Sequence, residues 1–111
     1  LYLPQAKTYD GCAALGPCVY VSEKPLPGNT VIRMKILRAG AKVFEEEITT
    51  GQMKRTQEEL VSFLFRECSF PHGCLLMTGT GIVPSPDLTL ERGDEISISL
   101  EPIGTLTNTV G

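Results

Sequence analysis

Two segments of this sequence carry side chains typed and spaced for chemistry. Lys7 stands beside Gln5, Tyr9 and Asp10, directly ahead of a small, apolar run. An ammonium so placed can be aimed inward at an anionic ligand, or it can be a surface lysine in a polar lead-in, and the residues alone leave both readings open. Thr78-Gly79-Thr80-Gly81 follows the apolar run Cys74-Leu75-Leu76-Met77. Its glycines permit close backbone approach, and its hydroxyls and amides can bind a carboxylate. The same four residues also read as an ordinary turn.

Other chemical candidates are weaker. Glu45 and Glu47, one residue apart, would point the same way on a strand and could hold a divalent cation. With Lys42 and Lys54 close by in a hairpin arm, a charged outward face accounts for them. Cys12/Cys18 and Cys68/Cys74 form two pairs, each with five residues between its members, and His72 lies inside the second. Structural zinc sites bring ligands two to four residues apart on a tight turn, whereas this gap in extended chain spreads them over about 20 Å. Small buried apolar cysteines are the expectation, with zinc and disulfides as alternatives. His72 sits in a Pro-His-Gly turn with no nucleophile pattern around it, and neither a nucleotide-binding glycine loop nor a Gly-x-Ser-x-Gly elbow occurs.

The elements that must position these residues are mostly strands. Residues 12–21 read as a buried strand, ended by the turn chemistry of Pro25, Pro27, Gly28 and Asn29. From Thr30, Ile32, Met34 and Ile36 alternate with Arg33 and Lys35, as a half-buried strand requires. Ala39-Gly40 turns the chain, and Lys42 to Ile48 returns as the hairpin partner. Thr56 followed by Glu59 is a capping box. Leu60, Val61, Leu64, Phe65 and Cys68 continue at helical spacing, so one helix is expected over about residues 56–68, its Leu60/Leu64/Phe65 face on a sheet. Residues 74–77 read as a short strand. Ile96, Ile98 and Leu100 alternate cleanly with polar neighbours, and Gly104 marks a bend before Leu106 to Val110. The sum is an α+β, β-rich mixed sheet or roll of about six strands with one long helix.

At 111 residues and 41% hydrophobic, the chain is one small unit with enough apolar side chains for a core. The net charge of −3 is dispersed, with no basic stripe, which argues against nucleic acid. No run approaches the roughly 18 apolar residues of a membrane span, and the start lacks the order of a signal peptide, so a cytoplasmic protein is expected. The first residue is not Met and a motif begins almost at once, which suggests a piece cut from something longer.

Three blocks carry a family resemblance. Leu3-Pro4-Gln5-Ala6-Lys7-Thr8-Tyr9-Asp10-Gly11-Cys12 with Leu15-Gly16-Pro17 resembles the lysine-bearing strand of the fumarylacetoacetate hydrolase family. Leu75-Leu76-Met77-Thr78-Gly79-Thr80-Gly81 resembles its Thr-Gly-Thr loop. Leu90-Glu91-Arg92-Gly93-Asp94-Glu95 with Ile103-Gly104-Thr105-Leu106-Thr107-Asn108-Thr109-Val110 resembles its closing strands. The blocks fall in the family's order over essentially the whole chain, residues 1–111, as the C-terminal part of the catalytic domain. The Leu-Pro-Gln-Ala-Lys form looks most like the 2-keto-3-deoxy sugar-acid dehydratases, with acylpyruvate and fumarylacetoacetate-type C–C hydrolases as near relatives.

The resemblance implies an enzyme in which Mg²⁺ or Mn²⁺ binds a 2-keto acid or 1,3-dicarbonyl compound and stabilises its enolate. Lys7 matches the active-site lysine, and Thr80 the threonine that contacts the substrate carboxylate. Gly79 and Gly81 would give room, and Gln5 would face the same pocket. The metal ligands, a Glu-x-Glu pair and an Asp, would precede the lysine block, so this chain supplies none, and Glu45 to Glu47 aligns elsewhere. By itself the chain is expected to be inactive and to hold no metal, and a homodimer is expected of the whole enzyme. A non-catalytic domain that binds a carboxylated ligand or a protein partner is the competing reading.

Overall fold

The computed structural model describes residues 8–111. Four strands form a single antiparallel sheet: β1 (Val31–Arg38), β2 (Ala41–Thr49), β3 (Glu95–Leu100) and β4 (Gly104–Thr109), in the order β2-β1-β3-β4. Two hairpins build it. In the first, Ala39 and Gly40 both take positive φ (50° and 79°), which matches the strand twist in a two-residue loop. The second closes through residues 101–103 into Gly104, whose φ of 111° suits a residue without a side chain. The hairpins join through β1 and β3, with Ile32 opposite Leu100 and Ile36 opposite Ile96.

Alternation along the strands gives the sheet two unlike faces. Residues paired across an antiparallel ladder share a face. One face therefore carries Ile32, Met34 and Ile36 of β1 with Phe44, Glu46 and Ile48 of β2, Ile96, Ile98 and Leu100 of β3, and Leu106 and Asn108 of β4, apolar but for Glu46 and Asn108. The other carries Arg33 against Glu47 and Lys35 against Glu45, flanked by Ser97 and Ser99. The buried centre is small: Ile36, 2% exposed, and Ile82 from the long excursion between the hairpins.

The expected β-rich α+β fold with one helix is what forms, and three local expectations are corrected. Four strands form among the described residues instead of about six. Residues 12–21 and 74–77 run without regular pairing, and Val19, Val21, Leu75 and Met77 are exposed. Both sheet edges, β2 and β4, keep unpaired backbone groups, yet neither run pairs with them in register, so apolar content alone does not make a strand. The helix, α1 (Gln57–Leu64), is shorter than expected. Its start is as read, with the Thr56 hydroxyl accepting from the Glu59 amide at 3.1 Å. Its end comes early because the last turn tightens, Arg66 N–H donating to Phe63 O, and Phe70 folds back edge-to-face on Phe65 at 5.4 Å. No residue of α1 is buried, and Leu60 and Leu64 are only half covered, so its apolar stripe is not packed down on the sheet.

At the open end of the first hairpin the chain is pinned by backbone contact. Thr50 donates its amide to Thr30 O and its hydroxyl to Pro27 O, and the Gly51 amide donates to Gly28 O at 2.6 Å. A Cβ on Gly51 would lie 2.7 Å from the Gly28 carbonyl oxygen, with no flexible side chain to move aside. Gly51→Ala is therefore expected to destabilise the protein by about 1–3 kcal/mol through backbone overpacking. Chemical denaturation of the full-length protein checks it, and an unchanged midpoint contradicts it.

Candidate functional site

Lys7 and Gln5 lie outside the described residues, which begin at the turn after them. Tyr9 to Cys12 close that turn, Cys12 N–H donating to Tyr9 O at 3.1 Å with Gly11 at φ 72°. The segment then crosses the sheet at β4. A Cβ on Gly16 would lie 3.1 Å from Leu106 Cδ1, a Cβ on Gly104 would lie 3.3 Å from Pro17 Cγ, and the Cys18 thiol reaches Ile103 O. Glycine at both places lets chain and strand lie close.

The second candidate segment stands at the opposite edge. Thr78 to Gly81 form an exposed loop leading into buried Ile82. The Thr80 hydroxyl accepts from the Ile82 amide at 3.2 Å and donates to the Ile82 carbonyl at 3.1 Å, so its place is tied to the chain that enters the core. Among the described residues no hydrogen bond occupies the amides of Gly79, Thr80 and Gly81. Three N–H donors in a short exposed loop, beside a hydroxyl, suit an anionic oxygen. The two glycines answer different needs. Gly79 takes φ 94° with open space where a side chain would be, whereas Gly81 rests on β2, where a Cβ would meet Ile48 Cδ1 at 2.2 Å.

The sheet relates the two segments. Ile48, Ile32, Leu100 and Gly104 form one row across all four strands, with Gly81 over one end and Pro17 over the other. Three strand spacings make that row about 14 Å wide. The adjoining row runs Glu46, Met34, Ile98 and Leu106, with Ile98 40% exposed, so the floor between the segments is open and apolar except for the Glu46 carboxylate at its β2 end.

The remaining candidates are used otherwise. Glu47 is paired with Arg33 at 2.7 Å and Glu45 with Lys42 at 2.6 Å, and Lys42 holds the Glu45 carboxyl below the ordinary carboxylate range. All four cysteines are exposed, against the expectation of buried ones, and none is in a disulfide, because the segments that carry them stay outside the sheet. Among the described residues no three His, Cys, Asp or Glu side chains gather as metal ligands would. The surface hollow lined by Asn29, Arg33, Glu47 and Ser99 lies on the charged face, away from the Thr80 loop.

One cluster escaped the sequence reading. Asp94, 1% exposed, accepts from Arg38 Nε at 2.9 Å and Nη2 at 2.8 Å, and from the Glu91 amide at 2.9 Å. Arg38 also donates to Thr89 O and pairs with the Glu91 carboxylate. The guanidinium first, then the amide, hold the Asp94 carboxyl at about 2, well below its usual range. The backbone of Asp94 meanwhile exchanges bonds with β4: its carbonyl accepts from Val110, and Gly93 N–H donates to Val110 O. The cluster locks the end of β1 to the entry of β3 and the exit of β4.

Comparison with known proteins agrees with this architecture along its whole length. A probable 2-keto-3-deoxyxylonate dehydratase of Haloferax volcanii is 40% identical over 111 residues, covering 99% of this chain and 38% of that protein. A 2-dehydro-3-deoxy-D-arabinonate dehydratase of Saccharolobus solfataricus is 41% identical over 111 residues, 99% of this chain and 37% of its own length. A solved 2-keto-3-deoxy-D-arabinonate dehydratase complexed with magnesium and 2,5-dioxopentanoate superimposes with a TM-score of 0.92 at 42% identity, over 98% of this chain and 39% of that one. The chain thus spans well under half the length of these relatives. The pattern of the fumarylacetoacetate (FAA) hydrolase C-terminal region matches residues 2–111, and this chain belongs to the fumarylacetoacetate hydrolase family.

Proposed function

We propose that this chain is the substrate-holding, C-terminal part of a Mg²⁺- or Mn²⁺-dependent enzyme acting on 2-keto acids, a 2-keto-3-deoxy sugar-acid dehydratase. The observation that carries the reading is the 42% identity and 0.92 TM-score with a dehydratase bound to magnesium and 2,5-dioxopentanoate, sustained over nearly the whole chain. The loop at Thr80 supports it from the chemical side, offering three unoccupied amides and a hydroxyl to a carboxylate.

On this reading the Thr80 hydroxyl and the amides of Gly79 and Gly81 hold the substrate carboxylate, and the Lys7 ammonium, with Gln5 nearby, faces the ketone oxygen. Loss of a proton from the carbon beside the ketone puts negative charge on that oxygen, and departure of the hydroxyl one carbon further as water returns it. Lys7 stabilises the charge while it lasts. Thr80 must turn its proton from the Ile82 carbonyl to the carboxylate, while its oxygen goes on accepting from the Ile82 amide. The described residues do not fit a divalent cation, since Glu45 and Glu47 are committed to Lys42 and Arg33 and no other cluster exists among them. We therefore place the cation's ligands in the part of the protein that the relatives have beyond this match.

We also propose that the whole enzyme is a cytoplasmic homodimer. Among the described residues no helix is long and apolar enough to cross a membrane. The accessible area of 9096 Å² far exceeds the roughly 6,000 Å² of a folded monomer this size, which supports further protein covering the apolar side. The functional test is turnover by the full-length protein with Mg²⁺ or Mn²⁺ on 2-keto-3-deoxy pentonates, acylpyruvates and fumarylacetoacetate. Water loss from the sugar acids is expected. Carbon–carbon cleavage of the others, or no turnover at all, overturns the reading.

A further inference from the structure

We infer that Ile48, on β2 and outside any motif of the sequence, is the positioning residue that sets the height of the Thr80 loop, and hence the specificity of the site for the carboxylate. The inference rests on the proposed function and deepens it. A Cβ on Gly81 would find Ile48 Cδ1 at 2.2 Å and Cγ1 at 3.6 Å, and nothing else within 4 Å. The end of the Ile48 side chain therefore fills the place that a side chain on Gly81 would take.

Ile48 is β-branched, which restricts its first side-chain torsion and so fixes Cγ1, leaving Cδ1 to turn about the second, and it is paired with Ile32 in the sheet. Two residues beyond it, Thr50 is bonded to Thr30 and Pro27, and the Gly51 amide to Gly28, which fixes that end of β2. Above, Gly81 lies between Thr80 and Ile82. Ile82 is buried, and its amide and carbonyl both hold the Thr80 hydroxyl. A vertical displacement of Gly81 is thus passed to the hydroxyl and to the three amides together. Displacements of about 1 Å in a substrate-positioning group can cost on the order of 10²-fold in rate.

The test is a size exchange in the full-length protein: Gly81→Ala, Ile48→Val and the two combined. Gly81→Ala drives a methyl into the δ-methyl of Ile48 and is expected to raise KM for a 2-keto-3-deoxy acid about tenfold or more, with kcat changed much less, because a carboxylate grip serves ground and transition state alike. Ile48→Val removes that δ-methyl and should raise KM only about twofold to threefold. The double variant, which puts the methyl back from the other side, should return to within about threefold of the wild type. A general folding defect would lower the active fraction, and so kcat, at unchanged KM. Gly81→Ala kinetics like the wild type, or a double variant as poor as Gly81→Ala, overturn the inference.

Amide hydrogen exchange at Ile82, whose N–H is held by the Thr80 hydroxyl, gives the same comparison without substrate. Exchange in Gly81→Ala should be faster by about tenfold, and the double variant should restore it. Equal exchange in all four proteins overturns the inference. An enzyme that acts on some other compound removes the functional reading alone, since the exchange data still decide the role of Ile48.

Discussion

In the full-length protein, Lys7→Ala and Thr80→Val are each expected to lower kcat/KM for a 2-keto-3-deoxy acid by on the order of 10²-fold or more, with little change in melting temperature. Both side chains are proposed to meet charge that the substrate carries or develops, and water that takes the place of a lost donor is not preorganised to meet it. Thr80→Val keeps the shape and removes the hydroxyl that donates to the Ile82 carbonyl and accepts from the Ile82 amide. Thr80→Ser keeps the hydroxyl and should retain most of the activity, which separates loss of the hydrogen bond from loss of packing. Steady-state kinetics with thermal melts decide each case. A variant with wild-type kinetics removes its residue from the site.

Asp94→Ala should be among the most destabilising single substitutions in the described residues, lowering the melting midpoint of the full-length protein by on the order of 10 °C. It removes the acceptor of two guanidinium bonds and one amide bond at a buried position and leaves Arg38, itself partly covered, facing a void. The pH dependence follows from the sign of the shift. The folded carboxyl titrates at about 2, below the roughly 3.9 of an unfolded chain, so the unfolded state takes up protons first as pH falls. The stabilisation is fully present above about pH 4 and is lost progressively between about 4 and 2. Asp94→Asn, which cannot ionise, should therefore lose less stability across that interval than the wild type. Acid unfolding curves of the two read this out. Parallel curves, or a midpoint for Asp94→Ala within about 2 °C of the wild type, contradict the role assigned to the cluster.

Local signals were legible in the sequence wherever the deciding contact is local. The Thr56 cap is one, because hydroxyl and amide are three residues apart. The first hairpin is another, since alternation from Ile32 and the Ala39-Gly40 turn need no outside information. The Arg38–Asp94 lock was not legible, although both residues were in view. They stand 56 positions apart and meet because Leu37 pairs with Glu95 across β1 and β3, a register that no short window contains. Residues 12–21 and 74–77 failed in the opposite way. An apolar run reports that a segment wants cover and says nothing of whether a strand is free to pair with it. For the candidate site, the Thr-Gly-Thr-Gly pattern located the loop, while the packing reason for its last glycine lay on β2 at Ile48.

The two hairpins of the sheet are contiguous in sequence, and residues 50–94 leave after β2 and return at β3. In polymer terms they form one large closed ring whose ends the β1–β3 ladder and the Arg38–Asp94 lock tie together. The entropy of closing such a ring grows only with the logarithm of its length, about 0.6 kcal/mol for each doubling. Adding or deleting several residues around Ser69 to Gly73, far from the tether of Gly81 on Ile48, therefore changes the closure term by much less than thermal energy. The register of both hairpins, set by their own turns, is indifferent to it. The excursion that carries the Thr80 loop can thus be lengthened or shortened at its outer bend while the sheet beneath keeps the same geometry.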